Sequence, residues 1–230
     1  MWVAQCVGVL VLLWFLAAYL LAPGFWKRYA KRHPSFGESP RITHTKDRHP
    51  GDPLNVALIG TESQLIEIMN AAKWFPAASL GVRSDLKIAA DAILSRPDVD
   101  APVSNLYLFS RREDIAFEQP VGNNPRHRHH VRLWKTDSAG DDGRLEWIGS
   151  AVYDSHVGLS RTTGQITHVT APDIDAERDY LFDCLEKTGA LAEHYPIEGF
   201  HKQLEGKNGG GDPWRTDGAL YVGVISATTS

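Results

Sequence analysis

The sequence predicts an α+β domain with a mixed or mainly antiparallel sheet and about three helices, preceded by one N-terminal transmembrane helix. Three observations carry this. Residues 2–22 hold no charged side chain, about the 20 apolar residues that a helix needs to cross a bilayer. The rest of the chain opens as strand, helix, helix, runs through a series of strands, and returns to helix and strand. That order does not fit the regular alternation of a parallel α/β sheet. Hydrophobic residues at 43% and charged residues at 23% are ordinary for a folded domain of this length.

Only Gln5 and Gly8 interrupt the first apolar run, and Trp2, Tyr19, Phe25 and Trp26 suit its interfaces. A cleaved signal peptide would want a basic leading segment, which is absent, and Pro23 makes the site after Ala22 a poor one. Residues 1–26 therefore read as an uncleaved anchor. Lys27, Arg28, Lys31 and Arg32 follow it directly. The positive-inside rule then places the domain in the cytoplasm, and the same cluster would attract anionic headgroups. Residues 27–53 carry Pro34, Pro40, Pro50 and Pro53 without any helical or strand period, so they read as a tether. His33, His44 and His49 fall in it as solvated linker histidines.

The globular domain spans 54–230. Residues 54–60 form a buried strand, and Thr61 with Gln64 supplies a capping box for a helix whose inner stripe is Leu65, Ile68, Met69 and Ala72. Trp74 and Phe75 close it before Pro76. A second helix begins near Ser84, turns Leu86, Ala89, Ala90, Ile93 and Leu94 inward, and stops at Pro97. Strands follow at 103–109, 115–117, 129–135, 145–153 and 165–170, with 137–143 as a hairpin connection. Another helix starts after Pro172, where Asp173, Asp175 and Glu177 suit its positive end and Leu181, Cys184, Leu185 and Thr188 its inner face. Past Pro196 the chain loosens. Residues 206–212 resemble a phosphate loop only superficially, because no Ser or Thr follows Lys207, and they read as a flexible loop. Residues 219–225 are a late strand. Cys6 and Cys184 lie too far apart in context to pair, and a net charge of −4 offers no basic field for nucleic acid.

The chemistry concentrates in Arg128-His-His-Val-Arg-Leu-Trp134. Strand alternation puts Arg128, His130, Arg132 and Trp134 on one face and His129, Val131 and Leu133 on the other. From the pattern alone this is a solvated or carboxylate-paired sheet face. Read as a site, the two guanidiniums can grip a phosphate or carboxylate, and they lower the pKa of the imidazole between them. His130, Asp154, His156, His168 and Asp175 have the side-chain types of a divalent-metal ring, but their spacing matches no compact signature, so the sequence names no metal and no cofactor. Asp175 and Arg178 also suit an i,i+3 helix pair. His168-Val-Thr170 has the His-x-Thr form of two-histidine phosphoesterases, but no second motif of that form faces it. Trp134 and Trp147 read as packing anchors, and Cys184 as core.

Taken in order, Pro102-Val-Ser-x-Leu-Tyr-Leu108, Arg128-x-His130-x-Arg132-x-Trp134, Trp147-Ile-Gly149, Thr167-His168, Asp173-Ile-Asp-Ala-Glu-Arg-Asp179 and Thr216-Asp-Gly218 resemble the LssY C-terminal domain family. The resemblance covers roughly residues 54–225. It implies a domain often attached to bacterial membrane proteins, some with DedA-like or phosphatidic-acid-phosphatase-like regions, and hence a place at the bacterial inner membrane. It carries no activity. The chain has one span and no phosphatase-type membrane core, so lipid-phosphatase activity does not transfer. The residues matching the family pattern are Arg128, His130, Arg132, His168, Asp175, Glu177 and Arg178.

Three functions follow as expectations. The first is a membrane-anchored accessory module that binds an anionic lipid or phosphate-bearing ligand through Arg128, Arg132 and Arg178. The second is a phosphoester hydrolase with His130 or His168 as acid or base, oriented by Asp154 or Asp175. The third is a docking module for a membrane-protein partner. Convergence of the histidines in one cavity would favour the second.

Overall fold

The computed structural model describes residues 2–25, 41–77, 105–122, 127–139, 144–162, 164 and 166–226. The second helix expected from Ser84 and the basic cluster at 27–32 lie outside these residues. The architecture is α+β, with mixed and antiparallel sheets and three helices among the described residues. Helix α1 runs Trp2–Leu16 and continues through a π-helical turn, Ala17–Leu21. Residues Gln5–Phe25 are long and apolar enough to cross a membrane, as an anchor or a signal sequence would be.

Residues 41–53 correct the tether reading. Ile42–Thr45 (β1) and Pro50–Pro53 (β2) pair antiparallel, with Ile42 opposite Pro53 and His44 opposite Pro50. The prolines misled because β2 is the edge of its sheet, where a missing backbone donor costs nothing. β1 also pairs with Leu106–Leu108 (β5), and β5 with Arg111–Arg112 (β6), closing a four-stranded antiparallel sheet.

The larger sheet has eight strands. Val56–Ile59 (β3) leads into α2, Glu62–Ala71, whose N-cap Thr61 and Gln64 make the expected capping box. Phe75–Pro76 (β4) is an edge strand beside Ile115–Pro120 (β7). The centre is a long antiparallel pair, Arg128–Ala139 (β8) and Leu145–Leu159 (β9), both longer than their apolar patterns suggest. β3 covers the first part of β9, and Ile166–Thr170 (β10) covers the last. Helix α3, Ile174–Glu186, is capped by Asp173. Leu191–Ile197 (β11) then pairs with Leu220–Ile225 (β14), which runs parallel to β3. β11 has no apolar alternation to read, because it is an exposed edge. Glu205–Lys207 (β12) and Pro213–Arg215 (β13) form a separate ribbon.

Strand alternation makes the large sheet two-faced. On one face Val131, Leu133, Phe117, Ala151 and Trp147 pack beneath Leu65, Ile68 and Met69 of α2 and Leu181, Phe182 and Leu185 of α3. On the other, Trp134 and Ile148 meet Leu54, Leu106 and Leu108, so the small sheet lies over that face. Asn55 ties the layers. Its amide donates to the carbonyls of Ala151 and Ile174 and accepts from Ala151 N. Trp134 and Trp147 are both buried anchors, as expected.

Gly149 sits where β8 and β9 approach most closely, opposite Leu133. A Cβ there would overlap the carbonyl oxygen of Arg132. Gly149→Ala is expected to destabilise the domain by about 3 kcal/mol, as overpacking against backbone does. A denaturation midpoint unchanged from wild type would contradict this close approach.

Candidate functional site

Arg128, His130 and Arg132 do share a face of β8. The register sets them opposite Asp154, Val152 and Ser150 of β9, and Pro120, Glu118 and Ala116 of β7. The face is not solvated. His130 and Arg132 are buried, because the small sheet and the segment before β13 roof them over. What remains is a cavity of about 330 Å³, in the range of small-molecule sites, walled by residues of β1, β2, β5, β8, β9 and β10 and by 208–212.

Asp154 organises it. Its Oδ2 accepts a 2.9 Å hydrogen bond from Arg128 Nε and stands 3.2 Å from both His130 Nδ1 and His168 Nδ1. The two imidazole contacts are in ion-pair range but off the line of an aligned hydrogen bond. β10 delivers His168 because its antiparallel pairing with the end of β9 brings residues 168 and 170 alongside 157 and 154. Arg128 also pairs with Glu118 at 3.2 Å. Two carboxylates thus hold that guanidinium, and it does not line the cavity.

Arg132 Nη1 lies 2.6 Å from His130 Nε2 and 3.5 Å from Asp52 Oδ2. A guanidinium can only donate, so His130 Nε2 must accept. His130 is then a neutral imidazole with its proton on Nδ1, facing Asp154. Burial lowers its pKa below the usual 6.5, with Arg132 and Arg128 acting the same way against Asp154. For Asp154, burial alone would raise the carboxyl. His130, His168 and Arg128 outweigh it and hold the group well below the ordinary carboxylate range. His168 differs from His130 in one respect. Its side chain is 93% buried by the accessible area of 7%, yet its Nε2 has no hydrogen-bond partner among the described residues.

The remaining predicted residues separate from the cavity. Asp175 and Arg178 form the i,i+3 pair at 3.0 Å, within a clamp in which Arg178 also binds Asp179 and Asp217 and lies 4.1 Å over the Tyr221 ring. Asp175 further accepts from Thr216 Oγ1 and Asp217 N. This clamp pins α3 to β14, and it accounts for the Thr216-Asp-Gly218 segment structurally. Glu177 lies on the opposite sheet face, 2.8 Å from His129, which stacks on Tyr180. His156 is exposed and contacts Ser155. The metal ring therefore does not assemble, and among the described residues no group of three or more His, Cys, Asp or Glu is arranged to hold a metal ion. Cys6 and Cys184 are unpaired.

The cavity also contains residues that pattern reasoning did not single out. His49, read as a linker histidine, lines it with Lys46 and Asp47. Asp52 and Asp212 are buried at 7% and 2% exposure and face the same space. Both sit in a Gly-Asp-Pro tripeptide, 51–53 and 211–213, a recurrence that was available as a signal. Residues 206–212 are not a loose loop. Asn208 Oδ1 accepts from Gly210 N and Asp212 N, and its amide donates to Thr170.

The histidine energetics have a pH signature. A histidine whose folded pKa is lowered binds its proton later than the unfolded chain does. Stability is therefore lost as pH falls below about 6.5. His130 and His201, also lowered by burial, both act in this direction. The thermal midpoint should fall between pH 7 and pH 5, and His130→Gln should flatten that decline. A decline that His130→Gln leaves unchanged would contradict a neutral, buried His130.

The family comparison agrees with this geometry in extent. The model of the LssY C-terminus family matches residues 36–220, which takes in β1, β2 and all of the cavity wall except Pro23. Comparison with curated proteins and with solved structures gives no match. With a match over most of its length, the chain belongs to the LssY C-terminal domain family.

Proposed function

We propose that the domain is a phosphoester-type hydrolase working beside a membrane, with His168 as the acid–base group and Asp154 orienting it. The observation that carries this reading is the buried Nε2 of His168, unpartnered on a cavity wall while its Nδ1 faces Asp154. Orphaned buried nitrogens are costly, and an imidazole oriented by a carboxylate with its other nitrogen unpartnered is the arrangement of a general base. Water would lose a proton to His168 Nε2 as its oxygen bonds to phosphorus. The bond to the leaving oxygen breaks, and the imidazolium returns the proton to that oxygen. Arg132 and Lys46, the cationic side chains on the wall among the described residues, would face the phosphoryl oxygens. His130 is a positioning residue here, since its Nε2 is occupied by Arg132.

The apolar N-terminal helix supports membrane association. The basic residues after it support a cytoplasmic domain at a bacterial inner membrane. A second reading, an accessory module that binds an anionic ligand without turnover, is favoured by Arg132 and Lys46 alone. Its two-arginine grip has less support, because Arg128 is held by Glu118 and Asp154.

The test is hydrolysis of the chromogenic diester bis(p-nitrophenyl) phosphate by the full chain in detergent. His168→Gln should lower kcat by about 100-fold or more, with an unchanged thermal midpoint. Binding without release of nitrophenol by the wild type would select the accessory-module reading, and an unaffected His168→Gln would remove His168 from the chemistry.

A further inference from the structure

Asp52 and Asp212 have no role in the chemistry above, yet both are buried on the cavity wall. Their compensation is thin. Among the described residues, Asp52 Oδ2 has only the long 3.5 Å contact from Arg132, whose short contact goes to His130. Asp212 Oδ2 takes a long 3.4 Å donation from Thr170 N. Burial raises the Asp212 carboxyl and the Asp52 charge adds to that; the Thr170 amide, the Arg161 charge and the Asn208 side chain act against it without fully offsetting it. Asp154, by contrast, is saturated by Arg128, His130 and His168. Leaving out Asp154, whose charge Arg128 matches, the wall carboxylates Asp47, Asp52 and Asp212 outnumber Lys46 and Arg132. A dianionic phosphomonoester would enter against that balance. A ligand carrying both a phosphate and a cation would meet Lys46 and Arg132, beside the unpartnered His168 Nε2, with one end and the under-compensated carboxylates with the other. Buried charges of one sign without partners are expensive, and a ligand of opposite charge relieves that cost.

Resting on the reading of this cavity as a phosphoester site, we infer that its ligand is a zwitterionic phosphodiester, in which an ammonium bound by Asp52 and Asp212 is tethered to the phosphate that His168 and Arg132 face. The preference is set by two aspartates that the Gly-Asp-Pro tripeptides hold in place. At Gly51 a Cβ would collide with the Thr43 side chain, and Gly211 has φ +85°, so each glycine admits a backbone path that other residues would resist. The ammonium class is shared by a lipid headgroup and by the free deacylated compound.

Calorimetric titration of the full chain in detergent compares glycerophosphoethanolamine with glycerophosphoglycerol and glycerol phosphate. A parallel arm compares the chain in nanodiscs of phosphatidylethanolamine and of phosphatidylglycerol, reading protection of the cavity by hydrogen exchange. The ethanolamine compound should bind about tenfold tighter than either anionic one, and Asp212→Asn and Asp52→Asn should each erase that margin without lowering the thermal midpoint. A preference confined to nanodiscs assigns the lipid as ligand, and one confined to the soluble compounds assigns the free diester. Equal or tighter binding of glycerophosphoglycerol or glycerol phosphate overturns the inference, as does a margin that survives both substitutions. Preference without turnover would retire the hydrolase and leave this inference standing. Turnover of mono- and diesters alike, with no ammonium preference, would do the reverse.

Discussion

A single carboxylate oxygen, Asp154 Oδ2, collects Arg128, His130 and His168 from three directions, and the arrangement of the cavity depends on it. A carboxylate 1% exposed pays a desolvation cost of several kcal/mol unless partners replace water. Arg128 is the permanent counter-charge. Both imidazoles turn Nδ1 toward the carboxylate. That orientation fixes what the opposite nitrogens do: His130 Nε2 receives Arg132, while His168 Nε2 is buried without a hydrogen-bond partner among the described residues. Two histidines on one aspartate thus have different surroundings, because among the described residues only His130 has a guanidinium at its far edge.

The strand pair β8–β9 makes this possible by separating two chemistries with one layer of backbone. Its apolar face holds the helices, and its polar face is roofed by the small sheet. The Arg178 clamp stands apart from the cavity. It secures α3 through Asp175, Asp179 and Asp217, and burial at 2% exposure makes it costly to break. Its residues stand beside those of the cavity in the segments that carry the family resemblance, but the geometry separates the two sets: one holds α3, the other walls the cavity.

Much of the fold was legible from local signals. The capping box at Thr61, the Asp173 cap after Pro172 and the alternation across 128–134 all act over a few residues, and each is observed. Signals failed where burial is imposed from a distance. β1 and β2 look like a proline-rich tether because edge strands tolerate proline, and β11 lacks alternation because neither face is buried. The same reason explains the site. Alternation placed Arg128, His130 and Arg132 together, but could not tell a solvated face from a roofed one, since the roof comes from strands some 25 to 90 residues away in sequence. Asp154 and His168 were visible as residue types. Asp52 and Asp212 were hidden in segments read as linker and loop, although Gly-Asp-Pro marks both.

The most direct test of the central claim is nitrogen NMR of the isotopically labelled imidazoles near neutral pH, which reads the protonation of each ring nitrogen. His130 should be neutral, with its proton on Nδ1 and Nε2 bare as the acceptor of Arg132. A doubly protonated His130, or a neutral one with its proton on Nε2, would contradict the account, because Arg132 could not then donate to it and Asp154 would no longer set the orientation of the pair.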